Sequence, residues 1–471
     1  MKLNRIMIAA PKSGSGKTTI TCALLKSLKN RGEQVVSYKC GPDYIDPMFH
    51  EKVIGIPSKN LDTFFTGEDT TRELFLKNRT EKDFVVMEGV MGLFDGLGGV
   101  REEGSSYHLA KVTETPIVLV IDAKGMGRSV IPMIAGFLAY DKEHLIQGVI
   151  LNKMTKSYYE IIKPLIEVEL SIRVLGYFPE QKDIHIESRH LGLVMPNELA
   201  DIQKRLQVVS EELEKTVDVD AIKHIAELAS ELIGTHKEIR EDSYFETNGS
   251  IRPVIAVAKD EAFCFYYEDN LLMLQEKGAE ITYFSPLRDT KLPDNCDALL
   301  IGGGYPELYV NELSRNVRMH NAMKQAFDKR MPIVAECGGF MYLHDAIIDK
   351  DGVSHVMVGV IPATCSYKGR LVRFGYLEIK EKQSHFLPEG ELIKGHEFHY
   401  FDSTDNGESC VATKRATGRE YPCVIEGENY WLGFPHLYYP SNPLFAESFV
   451  KKAEEYKNEK AHINGKFASF L

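Results

Sequence analysis

The stretch "PIVAECGGFMYL" sets Cys337 between an apolar run ending at Glu336 and two glycines that open another apolar run. A nucleophile on a sharp strand-to-helix turn is held exposed. The positive end of a helix there is expected to lower a thiol's pKa and sharpen its reactivity. Such a thiol also needs a base and donors for a developing oxyanion. "WLGFPHLYYPSNP" supplies His436 far downstream, as expected of partners that meet only in the fold. "LLIGGGYPEL" ends a strand in Gly302 to Gly304, and the backbone N–H groups of Gly303 and Gly304 suit the oxyanion. A lone cysteine is more often a small core residue. The glycine triplet before it and the histidine after it argue against that here.

A second chemistry is spelled near the start. "APKSGSGKTTI" follows a strand-like run and leads into a helix pattern. Gly14 and Gly16 permit a curled loop whose N–H groups cradle phosphate. Lys17 reaches the outer phosphates, Thr18 offers a hydroxyl to Mg²⁺, and Thr19 follows in the opening turn. Pro11 stands where the strict motif has its first glycine. "FVVMEGVMGLFDG" ends a strand at Glu88 with Asp95 close behind, so Glu88 takes the place of a metal-binding acid. "CGPDYIDPMFH" puts Asp43 and Asp46 on a rigid turn, suited to Mg²⁺ or to a carboxylate substrate handled through it. Turn and cap chemistry is the plainer reading of those two aspartates. "GVILNKM" offers Asn152 at a strand end for nucleotide recognition.

These groups need two scaffolds. Short β-branched runs alternate with helical patterns in the first half, as in "QVVSYK", "PIVLVID" and "IQGVILN". That is the rhythm of a doubly wound parallel sheet. A charged, helix-prone stretch covers 197–238, and "THKEIREDSYFETNGS" reads as a linker. A second α/β unit begins at "RPVIAVA", with helices expected over 268–278 and 310–329. The reading is two α/β domains, at 1–240 and 251–450. The 471 residues carry a net charge of −12, which argues against a general affinity for nucleic acid or anionic membranes. The eight cysteines form no CxxC pair, which argues against a zinc ribbon. No apolar run has the length of a membrane span, and the glycine-rich N-terminal stretch is unlike a secretion signal. A cytoplasmic protein is expected.

Taken in order, "SGSGKTT", "GPDYIDPMFH", "EGVMGLFDG", "RHLGLVMP", "AFCFYYEDNL", "IGGGYPELY", "AECGGFMYL" and "GHEFHY" resemble class I glutamine amidotransferases of the cobalamin pathway. The nearer resemblance is to the cobyrinate a,c-diamide synthase family, and it spans nearly the whole chain. It implies an N-terminal ATP-dependent, dethiobiotin-synthetase-like domain and a C-terminal glutaminase domain. It implies that Cys337 attacks glutamine to release ammonia, with His436 raising the thiol's nucleophilicity. ATP phosphorylates a tetrapyrrole carboxylate and ammonia displaces the phosphate. Lys17 and Thr18 serve ATP and Mg²⁺; Asp43, Asp46, Glu88 and Asp95 serve metal binding and carboxylate activation. Tyr438 stands where other amidotransferases carry an acid two residues after the histidine, which fits the subclass's Cys–His dyad.

Arg370 and Arg373 in "YKGRLVRFGY" suit the substrate's carboxylates, or else a solvated basic face. His396 and His399 are read as sharing one face of a strand. A homodimer is compatible with this family reading. A nickel tetrapyrrole of the coenzyme F430 route, Ni-sirohydrochlorin, is an alternative substrate. From another class, a partitioning-type P-loop ATPase with a degenerate second domain shares the first motif but needs no Cys337, Gly303 and His436 together.

Overall fold

In a computed structural model of the chain, the described residues are 1–181, 196–232 and 252–468. The linker stretch and "RHLGLVMP", up to its last residue, lie outside them. The chain divides into two units, residues 1–237 and 238–471.

In the first unit β1 (Asn4–Ala9) alternates its side chains strictly. Ile6 and Ile8 enter one apolar layer, Met7 and Ala9 the other. Phe84 and Val86 oppose Val85 and Met87 in the same way. Burial on both faces explains the unbroken apolar runs. The sheet joins β1 to β2 (Gln34–Cys40), β3 (Ser58–Leu61), β4 (Asp83–Glu88), β5 (Ile117–Asp122), β6 (Ile146–Asn152) and β7 (Val174–Phe178), in the order β3-β2-β4-β1-β5-β6-β7. Every pairing is parallel. Helix α1 (Lys17–Asn30) leaves β1 through the glycine loop. It packs Ile20, Leu24 and Leu28 into one layer with Leu206, Val209 and Leu213 of the helix Pro196–Thr216. β3 and β7 were not anticipated, because "SKNL" has no apolar run and Gly176 interrupts the short one in "VLGYF".

The second unit repeats the logic. Its main sheet runs β10 (Glu280–Phe284), β8 (Val254–Ala258), β11 (Ala298–Ile301), β13 (Ile333–Glu336), then strands 430–433 and 425–427. A two-stranded ribbon pairs β9 (Phe263–Phe265) with β12 (Gly303–Gly304). Leu299, Ile301, Ile333 and Ala335 face one layer, and Leu300 and Val334 the other. The helix expected over 310–329 is two, Val310–Arg315 and Val317–Asp328. Asn316 breaks it: its side chain caps the second helix at the Met319 N–H and its amide holds the Pro286 and Asp289 carbonyls. No helix among the described residues is long and apolar enough to cross a membrane.

Candidate active sites

The phosphate loop is built at the C-terminal end of β1. Gly14 and Gly16 take φ of +76° and +91°, backbone that favours glycine. A side chain on Gly16 would also collide with the Asn152 amide. Asn152, at the end of β6, donates to the Ser15 carbonyl at 2.8 Å, and its oxygen accepts from the Lys153 N–H at 2.9 Å. Its visible work is thus to hold the loop. Lys17 opens α1 and folds back on the Met91 carbonyl at 2.5 Å, with Thr18 and Thr19 in the same turn. Burial, then Lys39, pulls the Lys17 pKa down to about 8, against Glu88, Asp46 and Asp95.

The acids gather beside this loop. Thr18 Oγ1 donates to Glu88 Oε1 at 2.6 Å. Lys39 Nζ, on β2, pairs with the same oxygen at 2.9 Å and with Asp46. His50 Nε2 lies 3.4 Å from Glu88 Oε2, and its Nδ1 bonds Ser37 Oγ at 2.7 Å. Burial opposes the Lys39 charge, but Asp46 and Glu88 more than offset it and hold the ammonium well above its ordinary pKa. Burial likewise pushes Glu88 up, yet Lys39, His50 and Thr18 prevail and keep it ionised. Burial and then Glu88 push Asp46 upward. Asp43 caps the Ile45 N–H at 2.8 Å, and Asp95 accepts from Gly92 at 2.9 Å. Asp43 therefore also does the turn chemistry that the plainer reading assigns it, whereas Asp46 pairs with Lys39.

Lys39 and His50 are functional candidates that motif reading missed. Lys39 was a lone cation inside an apolar strand, which is a legible signal. His50 reaches Glu88 because the helix Ile45–Phe49 runs into a π-turn, His50–Ile54. The oxygen-only donor set of Thr18, Asp46 and Glu88 suits a hard divalent cation. Asp46 Oδ1 is buried without a hydrogen-bond partner among the described residues, which fits a ligand atom awaiting a cation.

In the second unit β13 delivers Cys337 to its turn. The residue takes φ 47°, ψ −101°, a strained backbone of the kind found at functional turns. Its N–H donates to the Gly433 carbonyl at 2.8 Å, and Gly339 N–H to Gly302 at 3.0 Å. A Cβ on Gly338 would sit 3.2 Å from Gly304 N, so the glycine ribbon lies against the Cys337 turn. A Cβ on Gly303 would overlap the His436 ring. His436 is buried, with the His396 ring stacked on it at 4.9 Å and 17°. Glu336 Oε2 lies 3.9 Å from His436 Nδ1. Tyr438, in the place of the missing acid, donates instead to Asp269 at 3.0 Å.

The expected depression of the thiol's pKa is not found. Burial, followed by Glu307 and Glu397, pushes Cys337 far up, and the helix that follows has only five residues to oppose it. Burial, with His396 and His399, holds His436 well below its ordinary value, so it rests neutral and ready to accept a proton. The single shared face expected for His396 and His399 also fails. A separation of three residues puts side chains on opposite faces of a strand. His396 pairs in register with His436, whereas His399 stacks on Phe434 at 4.0 Å and neighbours Glu397. Arg373 stacks over Tyr421 at 4.2 Å and pairs with Glu397 at 3.5 Å. Arg370 lines an open cavity of about 510 Å³ with Lys368 and Asp402.

Residues 6–194 match the CobQ/CobB/MinD/ParA nucleotide-binding domain, and residues 254–438 match the CobB/CobQ-like glutamine amidotransferase domain. A nucleotide-binding P-loop unit joined to such a glutaminase unit defines a glutamine-hydrolysing amide ligase, and the partitioning-type ATPase reading is left without support. Three curated relatives, each described as a cobyrinate a,c-diamide synthase, are similar over most of their length. The one from Clostridium acetobutylicum is 40% identical over 95% of this chain and 100% of its own. The one from Clostridium tetani is 40% identical over 84% and 87%, and that from Caldanaerobacter subterraneus 38% over 92% and 94%. The chain belongs to the cobyrinate a,c-diamide synthase family.

Proposed function

We propose that this protein amidates the a- and c-side-chain carboxylates of cobyrinate, in cobalamin synthesis in the cytoplasm, with ATP and glutamine. Residues 251–450 carry the glutaminase half. His436 takes the Cys337 thiol proton as sulfur attacks the glutamine carboxamide, with the Gly303 and Gly304 N–H groups at the oxyanion. The proton passes to the departing ammonia, and water cleaves the thioester to glutamate. Residues 1–240 carry the ligase half. A substrate carboxylate attacks the γ-phosphate of ATP, ADP leaves, and ammonia displaces phosphate from the acyl phosphate to give the amide. A carboxylate is a poor acyl donor, so the phosphate supplies the leaving group. Mg²⁺, bound by Thr18 with Asp43, Asp46 or Glu88, would neutralise charge on the phosphates. Asp46 and Asp95, whose charges act on Lys17, would serve activation of the carboxylate through the bound cation.

One observation carries this reading: a single chain holds both the strained Cys337 turn beside Gly303 and the Lys17–Thr18 loop beside Glu88. The test offers cobyrinate and Ni-sirohydrochlorin in parallel, with ATP, Mg²⁺ and glutamine, and follows product mass. A diamide from cobyrinate is the expected result. A diamide from the nickel ring alone moves the pathway and keeps the chemistry. Amidation of neither ring, with ATP still hydrolysed, defeats the proposal.

Lys17 gives a pH prediction. Its free-state pKa is down at about 8, and nucleotide phosphates raise it on binding. A group whose pKa is raised by binding contributes fully below its free-state value and loses that contribution as pH climbs through the bound value. ATP affinity is therefore expected to hold below about pH 8 and fall above it, by up to about tenfold per pH unit. Calorimetry across that range, in buffers of different ionisation enthalpy, also reads the proton taken up. A flat affinity would remove Lys17 from the phosphate contact.

A further inference from the structure

We propose that Glu336, the residue directly before the nucleophile, positions His436 and supplies the acid that Tyr438 does not. The inference rests on the glutaminase reading of Cys337 and His436. Glu336 ends β13 in register with Gly433, so the strand pairing that sets Cys337 also sets this carboxyl against the segment leading to His436. It is 5% exposed, and its Oε2 lies 3.9 Å from His436 Nδ1. The Leu437 N–H donates to the same carboxyl, tying it to the residue after the histidine. Its other oxygen, Oε1, is buried without a hydrogen-bond partner among the described residues. A carboxyl buried at that cost is explained if its charge is used in the reaction cycle.

The imidazole is held for this role. His396 stacks on it, and Gly303 is so close that a side chain there would overlap Cε1. With the ring plane fixed, the Nδ1 edge is the one facing Glu336. Nε2 is then the nitrogen that exchanges the proton with the thiol. A separation of 3.9 Å is long for a hydrogen bond, and such contacts tighten as charge develops. Burial disfavours both charges at rest, pushing Glu336 up to about 8 and His436 down. Transfer of the Cys337 proton creates an imidazolium, whose charge favours the ionised form of Glu336 at its other edge, the carboxyl's own proton being lost to water. Glu336 is a positioning residue: it acts through His436 and touches no substrate.

The experiment measures glutamine hydrolysis by the full chain and by Glu336→Gln, beside ammonium-dependent amide synthesis and the melting temperature. Glutamine keeps the acceptor for Leu437 but cannot carry the charge. The expected result is a kcat for glutamine hydrolysis lower by about 100-fold or more, with KM for glutamine close to the parent's. Ammonium-dependent synthesis stays near parental. In a His436→Ala background the same change is expected to add little further loss, because its effect runs through the histidine. Parental kcat in Glu336→Gln, a change confined to KM, or a full additional loss without His436 would each overturn the proposal. Loss of ammonium-dependent synthesis as well would reduce Glu336 to a structural group. A parent chain that hydrolyses no glutamine would instead defeat the underlying glutaminase reading, and this inference with it.

Discussion

Cys337→Ala is expected to abolish glutamine-dependent amide synthesis, by at least about four orders of magnitude, while leaving synthesis from ammonium close to parental. Covalent catalysis has no partial substitute here: without sulfur no thioester forms, and His436 has no proton to accept. The substitution is well isolated. Alanine keeps a Cβ at φ 47°, so the strain of the turn persists. It also keeps the backbone bond to Gly433. The other unit retains Lys17, Thr18 and Glu88 and receives ammonia from solution. The measurement is product formation with glutamine and then with ammonium at the same pH. Loss of both would mean that Cys337 supports the fold or the ligase half. Retention with glutamine would mean that another nucleophile releases the ammonia. A pH series sharpens the result. The thiol sits high because it is buried among Glu307, Glu397 and Glu336, so no standing thiolate is expected at neutral pH. Slow alkylation of the resting parent, accelerated when a glutamine analogue is bound, is the signature of a thiol activated on demand.

Local chemistry was legible in the sequence wherever neighbouring residues do the work. The phosphate loop is spelled by Gly14, Gly16, Lys17 and Thr18 because its cradle is made of consecutive N–H groups. The parallel strands were legible because burial on two faces leaves unbroken apolar runs in the middle of β1, β4 and β5. What escaped was set by register between distant strands. Lys39 meets Glu88 because β2 lies beside β4, with those two residues as direct partners. Glu336 meets the His436 segment because β13 pairs with strand 430–433. The thiol's environment failed for a related reason. A short helix after a cysteine is visible locally, but the burial that outweighs it is set by the whole fold, and Glu307 and Glu397, which add to it, come from distant segments. Asn316, by contrast, broke the expected long helix through a local cap that its residue type announces.

Glu88→Gln is expected to remove amide synthesis with either nitrogen source, by roughly a thousandfold, in contrast to the separation expected of Cys337→Ala. Glu88 is the meeting point of the proposed ligase site: Thr18, Lys39 and His50 all converge on its two oxygens. Removing its charge takes from Thr18, the proposed Mg²⁺ hydroxyl ligand, the anion its hydroxyl bonds. The fold should survive, because Lys39 keeps Asp46 as a counter-ion. Lys39→Met reverses that balance. It leaves two buried carboxyls without their cation, and breaking such a pair costs about 3–5 kcal/mol. Its melting temperature should fall well below that of Glu88→Gln and recover in part with added Mg²⁺, since a divalent cation can take over the neutralising role. Glutaminase activity of Glu88→Gln, measured alone, should stay near parental if the two halves carry separate chemistry. Equal stability of the two variants, with no response to Mg²⁺, would show that Lys39 is not the charge that holds the acids together. Unchanged synthesis in Glu88→Gln would move the metal to Asp43 or Asp46.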